Sequence, residues 1–378
     1  MQTKRDARNV TLVTVGVFLQ FLGFDTAQQF FAPWLSSQGK EDLALSGLIL
    51  LYAVFFLSNF FAPQMVARMG LKRSLLLGST PYALFGLSAL SGAPALIYLA
   101  CITVGLGAAL FWNANTLLID GSCIASEVGR KQGRKMSGLY WSNVVGALLA
   151  TILLGRFGMS GIYLSLALVS VSALVVYANV EDRPSPAIQP VAGSVRSMLS
   201  PKPLLLLPVV FSGFYFLGQS AAAIPLLVQD KFGLASVGPT AVGMKLVAAT
   251  SISLMGHAAD RFGRGRVLAT SLLAGILGTA LICSGQVLPV VLLGVSVLAI
   301  QFSSTYPAVL AVIKDRFNPA ENANAIGAFH LYSTAGAVSA YAATKLLARP
   351  QALMLGVVPL GLGLITLAIF MRRYPRLA

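Results

Sequence analysis

Of 378 residues, 56% are hydrophobic and 10% charged, and the mean hydropathy is +0.79. Soluble domains carry about 25% charged residues, so disorder, a collagen-like fibre, a disulfide scaffold and an ordinary soluble domain are excluded. The formal charge of +15 would point a soluble chain towards nucleic acid; here the basic residues gather in particular loops, and no nucleic-acid partner is expected. Long apolar stretches fill the chain, where a barrel would alternate over about ten residues. The expected class is an all-α polytopic membrane protein.

Twelve stretches approach or exceed the roughly 20 residues of a spanning helix. In chain order they are Val10–Ala32, Leu43–Val66, Ser74–Leu90, Ala95–Ile119, Met136–Leu154 and Gly161–Asn179, then Pro203–Val228, Val237–His257, Val267–Ser284, Leu288–Ile313, Ala323–Leu346 and Ala352–Met371. Lys4, Arg5 and Arg8 before the first stretch mimic a secretory signal, but the run continues to Trp34 without a small-residue cleavage site, so it is read as a retained span. The longest polar gap, Glu181 to Lys202, opens Glu181-Asp182-Arg183-Pro184-Ser185-Pro186, and its prolines forbid a continuous helix. It divides the chain into an N-terminal six-helix bundle (1–180), a connector (181–202) and a C-terminal six-helix bundle (203–378). With both tails on one side, that side holds 21 of the 27 Lys and Arg. The positive-inside rule then makes both termini cytoplasmic. Cys101, Cys123 and Cys283 have no paired or metal-ligand spacing, and neither a metal nor a nucleophile constellation is present, so no enzyme is expected.

The halves repeat a loop. Pro63-Gln64-Met65-Val66-Ala67-Arg68-Met69-Gly70 follows the second stretch, and Gly256-His257-Ala258-Ala259-Asp260-Arg261-Phe262-Gly263-Arg264 follows the eighth. Six helices duplicated about a connector is the plan of one large transporter class. These residues resemble the major facilitator superfamily, whose loop signature is G-x-x-x-D-R-x-G-R-R. Gly256, Asp260, Arg261, Gly263 and Arg264 match it. The first copy keeps Arg68 and Gly70 but has Pro63 for the glycine and Ala67 for the acid. More narrowly, Phe21-Leu22-Gly23-Phe24, Leu51-Tyr52, Gly70-Leu71-Lys72 and Gly105 to Trp112 resemble the Unc-ninety-three branch over about the first 120 residues. Some members of that branch are thought to regulate or escort other membrane proteins. The wider resemblance implies alternating access, driven by a proton or solute gradient.

An aspartate at a helix end accepts backbone N–H groups and pairs with arginines. Asp260, Arg261 and Arg264 therefore read as a gate latch, with Gly263 allowing the turn; Arg68 and Gly70 are the weaker counterpart. The bland alternative is that these cations only hold the loop inside.

Asp25 and Lys245 lie well inside stretches, where a charge costs about 2.5–3.5 kcal/mol on insertion scales and is rarely idle. The resemblance places both on helices lining a central cavity, so they are candidate solute- or proton-binding residues; the alternative is snorkelling near helix ends. Gln28 and Gln29 share the face of Asp25 at i+3 and i+4. Asn113, Trp141, Tyr215, Gln219, Gln301 and His330 extend the candidate lining. For any single one, an interhelical hydrogen bond worth about 0.6 kcal/mol is the competing role. A lysine in the cavity tilts the solute towards an anionic group. The expectation is a monomeric secondary transporter of a small organic solute, with a proton as coupling ion and no cofactor. Short tails and loops fit a bacterial inner membrane. The rivals are a non-transporting escort protein and a lipid or amphiphile translocase.

Overall fold

The computed structural model describes residues 2–182, 191–233 and 236–375; among these the regular structure is helical, with no strand. The helices are α1 (Gln2–Ser37), α2 (Glu41–Ser58), α3 (Ala62–Met69), α4 (Leu71–Ser91), α5 (Pro94–Asp120), α6 (Val128–Ala178), α7 (Val191–Met198) and α8 (Pro201–Leu204). They continue as α9 (Leu207–Ala221), α10 (Ala223–Phe232), α11 (Val237–Phe262), α12 (Arg264–Ser284), α13 (Leu288–Arg316), α14 (Pro319–Leu346), α15 (Arg349–Leu355) and α16 (Val357–Arg373).

Proline sets two breaks inside expected spans. Pro63 and Pro225 have no N–H to give to the carbonyls four residues earlier, at Asn59 and Ala221. There α2 and α3 meet at 67°, and α9 and α10 at 43°. A third break lies inside α6, where Gly158 takes φ 63° and ψ −169°.

Among the described residues, seven helices are long and apolar enough to cross a membrane, or nine if each bent pair is one span. The other three of the twelve expected spans fall on the first part of α6, on α11 and on α14. At 26 and 28 residues α11 and α14 have the length. The polar residues of α14, among them Glu321, Asn322, Asn324 and His330, leave it short of the apolarity.

The chain forms two compact units, residues 1–122 with 138–191, and residues 123–137 with 192–378. The start of α6 therefore packs within the second unit, a membership that chain order does not suggest. In the first unit α4 crosses α5 through facing glycines: a Cβ on Gly78 would stand 2.6 Å from the Gly107 carbonyl oxygen. In the second, α12 crosses α13 the same way, with a Cβ on Gly278 2.8 Å from the Gly294 oxygen. Small residues let backbones approach where lipid supplies no hydrophobic drive.

Candidate functional site

In the first unit one face of α1 carries Phe21, Phe24, Asp25 and Gln28, at the i, i+3, i+4, i+7 spacing of a single stripe. Phe21 and Phe24 are buried and hold the stripe against its neighbours. The Phe21 ring lies 5.6 Å from Tyr82 of α4, 6.0 Å from Phe111 and 5.2 Å from Trp112 of α5, and Phe24 meets Tyr82 edge-on at 4.6 Å. Tyr82 is hydrogen-bonded to Trp112. The Asp25 charge reaches the phenols of Tyr82 and of Tyr140 on α6. Gln28 Nε2 donates to the hydroxyl of Tyr52 on α2 at 3.2 Å. Asp25, Gln28, Tyr52 and Trp112 are half-buried, while Phe21, Tyr82 and Tyr140 are sealed. The result is a carboxylate with phenols, an amide and an indole around it, on rings that pack as a core.

The other residues picked from sequence divide. The Gln29 side chain lies outside the described residues. Asn113 is fully buried one step behind Trp112; its Nδ2 donates to Asn59 Oδ1 at 2.9 Å and to the Ala109 carbonyl. It pins α5 to the end of α2. Trp141 is 39% exposed, and its neighbour Tyr140 is the residue near Asp25. In the second unit Lys245 is half-buried on α11. The Tyr215 hydroxyl donates to the Ala352 carbonyl, and Gln219 bonds the Ala340 carbonyl and the Thr344 hydroxyl, so both join helices of the unit to one another. Gln301 is fully buried between α12 and α16, where a Cβ on Gly275 would touch both its Cγ and Leu360.

His330, buried on α14, belongs to a cluster that the sequence did not single out. Its ring lies 5.2 Å from Phe329 and 6.4 Å from Tyr306. Lys135 of α6, counted above among the cytoplasmic cations, is wholly buried; its Nζ donates to the Tyr306 hydroxyl at 2.9 Å and lies 4.6 Å from that ring's centre. The signal was present: Val128, Gln132 and Lys135 recur at i, i+4, i+7 and are all buried, whereas Arg130 and Arg134 point outward.

The loop signature builds one assembly within the second unit. Gly256 faces Gly129 so closely that a Cβ would lie 2.7 Å from the Gly129 oxygen. This approach puts Asp260 over the first turn of α6, where it accepts the Arg130 N–H at 3.1 Å, satisfying a donor that no helix carbonyl can reach. Gly263 turns the chain at φ 100°. Arg264, 5% exposed, then reaches Asp260 at 3.2 Å, Asp315 at 2.7 Å and the Ala311 carbonyl. Burial pushes the Asp260 carboxyl above its ordinary range, against the opposing pull of Arg264 and the Arg130 N–H. Arg261 is exposed over the Phe262 ring. In the first unit Arg68 is exposed in the last turn of α3 and Gly70 joins α3 to α4. The carboxylate there comes from Asp182, which accepts the Lys72 N–H at 3.3 Å.

The sequence model of the Major Facilitator Superfamily matches residues 13–255 and 244–378. The UNC93-like protein MFSD11 of Xenopus tropicalis is 26% identical over 164 residues, 43% of this chain and 34% of that protein. The human protein unc-93 homolog A is 29% identical over 164 residues, 40% and 35%. The chain thus aligns with about a third of the length of these relatives. Among solved structures, the proton:xylose symporter XylE superposes with a TM-score of 0.80 at 12% identity, over 100% of this chain and 97% of that one. The human organic anion transporter MFSD10 gives 0.76 at 17%, over 97% and 99%, and a bacterial homologue of the iron transporter ferroportin gives 0.73 at 14%, over 96% and 98%. At such identities the likeness is one of fold.

Proposed function

The chain belongs to the major facilitator superfamily, and we propose that it is a secondary active transporter, moving a small organic solute by alternating access with a proton as coupling ion. The observation that carries the reading is Asp25, a half-buried carboxylate among hydrogen-bonding and aromatic side chains. A carboxylate at such a place can hold a proton in one state and release it in another. Lys245 remains the second charged candidate. Asp260 with Arg264 serves the gate by holding the start of α6 in one conformation and freeing it in another. The protein works as a monomer and needs no cofactor beyond the proton. The matching relatives are from frog and human, so the bacterial inner-membrane reading gains nothing from them; an integral membrane location is what family and apolar helices support.

The test is charge movement in proteoliposomes under an imposed pH gradient, with sugars, organic acids, amino acids, amines, nucleosides and lysolipids added in turn. A solute-dependent current that Asp25→Asn abolishes is expected. Silence across the panel from folded protein, together with no electroneutral uptake of labelled solutes, would sink the carrier reading in favour of the escort function that the Unc-ninety-three resemblance implies. Activity with lysolipids alone would favour the amphiphile translocase.

A further inference from the structure

Two neighbouring helices of the second unit come together at a group of arginines that no carboxylate of the unit answers. We propose that this end of the α12–α16 pair binds an anionic phospholipid. Arg266, Arg372 and Arg373 hold its phosphate, and its acyl chains lie along the exposed faces of the two helices.

The two helices run antiparallel in a single register. A Cβ on Gly265 would press on the Met371 side chain, one on Gly275 on Leu360, and one on Gly363 would meet Leu272 at 3.4 Å. These pairings set Leu273 level with Leu362, and Arg266 level with Ile369 and Phe370. At 1.5 Å per residue, Arg372 and Arg373 lie about 3–6 Å further along the axis. Packed helices have axes about 8–10 Å apart, so three long guanidinium side chains reach one phosphate. On α12 the exposed positions Arg266, Thr270, Leu273 and Leu277 recur at i, i+4, i+7 and i+11. On α16 Leu362, Ile365 and Ile369 are exposed at the same spacing and lead to Arg372 and Arg373. The opposite sides are covered, α12 by α13 across Gly278 and Gly294, and α16 by Val209 of α9, 3.5 Å from a Cβ on Gly363. Both helices lie in stretches long and apolar enough to cross a membrane. Their shared outer face therefore meets acyl chains, and the arginines stand where chains give way to headgroups.

Charge selects the headgroup. The side-chain carboxylates of the second unit are Glu127, Asp230, Asp260, Asp315 and Glu321, and each is held by another cation. Glu127 has Arg130 and Lys131, Asp230 has Arg349, Asp260 and Asp315 share Arg264, and Glu321 has Lys202. Arg316 is committed to the Met371 and Tyr374 carbonyls. Arg266, Arg372 and Arg373 are exposed and have no carboxylate partner among the described residues. A guanidinium meets a phosphate through two parallel N–H donors, and basic groups at the ends of spanning helices select anionic headgroups. A zwitterionic headgroup would bring its own ammonium to the arginines, and a second copy of this chain would bring arginine to arginine. The first unit supplies the contrast. There Arg73, 193 residues earlier, heads the same kind of stripe on α4, with Leu77, Thr80, Leu84 and Leu87 exposed. But the sixth expected span is followed by Glu181 and Asp182, and Asp182 accepts the N–H of Lys72, beside Arg73.

The test uses purified full-length protein in detergent, titrated with dioleoyl phosphatidylglycerol or dioleoyl phosphatidylcholine. Native mass spectrometry counts the lipids retained on each chain. The first phosphatidylglycerol should bind severalfold tighter than the first phosphatidylcholine. Arg266→Gln should weaken phosphatidylglycerol about fivefold, as expected for one basic residue at a headgroup. The triple variant R266Q/R372Q/R373Q should bring it close to phosphatidylcholine, and Arg73→Gln should leave it unchanged. All four positions are exposed, so the melting temperature in phosphatidylcholine should not move. Arg266→Lys, which keeps the charge but loses the fork, should fall between wild type and Arg266→Gln. Equal affinity for the two lipids, undiminished phosphatidylglycerol binding in the triple variant, or an equal loss in Arg73→Gln would each overturn the proposal. So would a lipid-free dimer that the triple variant dissociates, which would give the face to a second copy.

Discussion

Gly256→Ala isolates what the signature glycine does. The added Cβ would stand 2.7 Å from the Gly129 oxygen, 3.2 Å from its carbonyl carbon and 3.6 Å from the Gly133 Cα. All three are backbone atoms, so no side chain can rotate away and the two helices must part. Overpacking of this kind costs about 1–3 kcal/mol. The separation also stretches the 3.1 Å bond from the Arg130 N–H to Asp260, and loss of that solvent-facing bond adds about 1 kcal/mol. Gly243→Ala is the control on the same helix: nothing lies within 4 Å of its Cβ, and a helical Gly→Ala gains about 0.5–1 kcal/mol. Gly256→Ala carries the same helical gain, so the two variants should differ by about 2–4 kcal/mol, from the overpacking and the lost bond. Thermal unfolding in detergent at one fixed heating rate reads the order, because a chain of this kind is compared by rate as much as by equilibrium. Gly256→Ala should melt well below wild type and Gly243→Ala at or above it. Gly129→Ala should behave like Gly256→Ala, since its Cβ meets Asp260 Oδ1 at 2.8 Å. Equal melting of Gly256→Ala and Gly243→Ala would refute the close approach as the reason for the glycine.

Asn113→Ala removes the donor to the buried Asn59 Oδ1 and should cost about 1–3 kcal/mol of stability, read as a lower melting temperature, while leaving the profile of transported solutes unchanged; a changed profile would return Asn113 to the solute site. Arg264→Lys cannot serve two carboxylates and a carbonyl at once and should lower the melting temperature by several degrees, whereas Arg261→Lys, at an exposed site, should shift it hardly at all. Acid melting should show opposed contributions. Burial raises the Glu321 carboxyl, but Lys202 at 2.9 Å and the Asn318 N–H outweigh it and the net value is lowered. That stabilisation is complete above the ordinary value of 4.5 and is lost as pH falls through the lower folded value. Glu321→Gln should flatten this acid loss. Asp260 is raised, so its contribution is present below the ordinary range and lost as pH rises through the folded value, and Asp260→Asn should remove a loss on the alkaline side.

What could be read from sequence was whatever depends on local periodicity or on short loops. The apolar stretches became helices, the Asp25 stripe fell on one face of α1, and the signature loop lies between two helices. What could not be read was which neighbours a polar helical residue meets. Tyr215, Gln219 and Asn113 have the same spacing whether they line a cavity or bond a neighbouring backbone, and the structure gives them backbone and amide partners. Tyr140 and Trp141 are adjacent, so a helix turns them about 100° apart, and an error of one residue in the facing side exchanges them. Lys135 was hidden by company: it is one of four basic residues within six positions, yet the helix carrying them has a buried side.

The two copies of the loop show why a repeat in sequence need not be a repeat in mechanics. In the second copy the acid is internal to the loop, and Gly256 brings it over α6 as well as over its own Arg264. In the first copy alanine occupies that place, and the N–H at the start of α4 is met by Asp182, 110 residues away along the chain. Asp182 is reached from a segment itself tied down by reciprocal bonds between Asn9 and Glu181, at 3.1 and 3.0 Å, and by Arg8 at 3.6 Å from Glu181. Both carboxylates answer the same need, an orphan donor at a helix start, but their release differs. Freeing Asp260 requires two helices to separate and a buried arginine to lose one of its partners. Freeing Asp182 breaks an exposed bond to the start of α4 and lifts the start of the connector. The second loop, where the signature is whole, is thus the buried and charge-rich tie, and the first is tied through exposed contacts of Glu181 and Asp182.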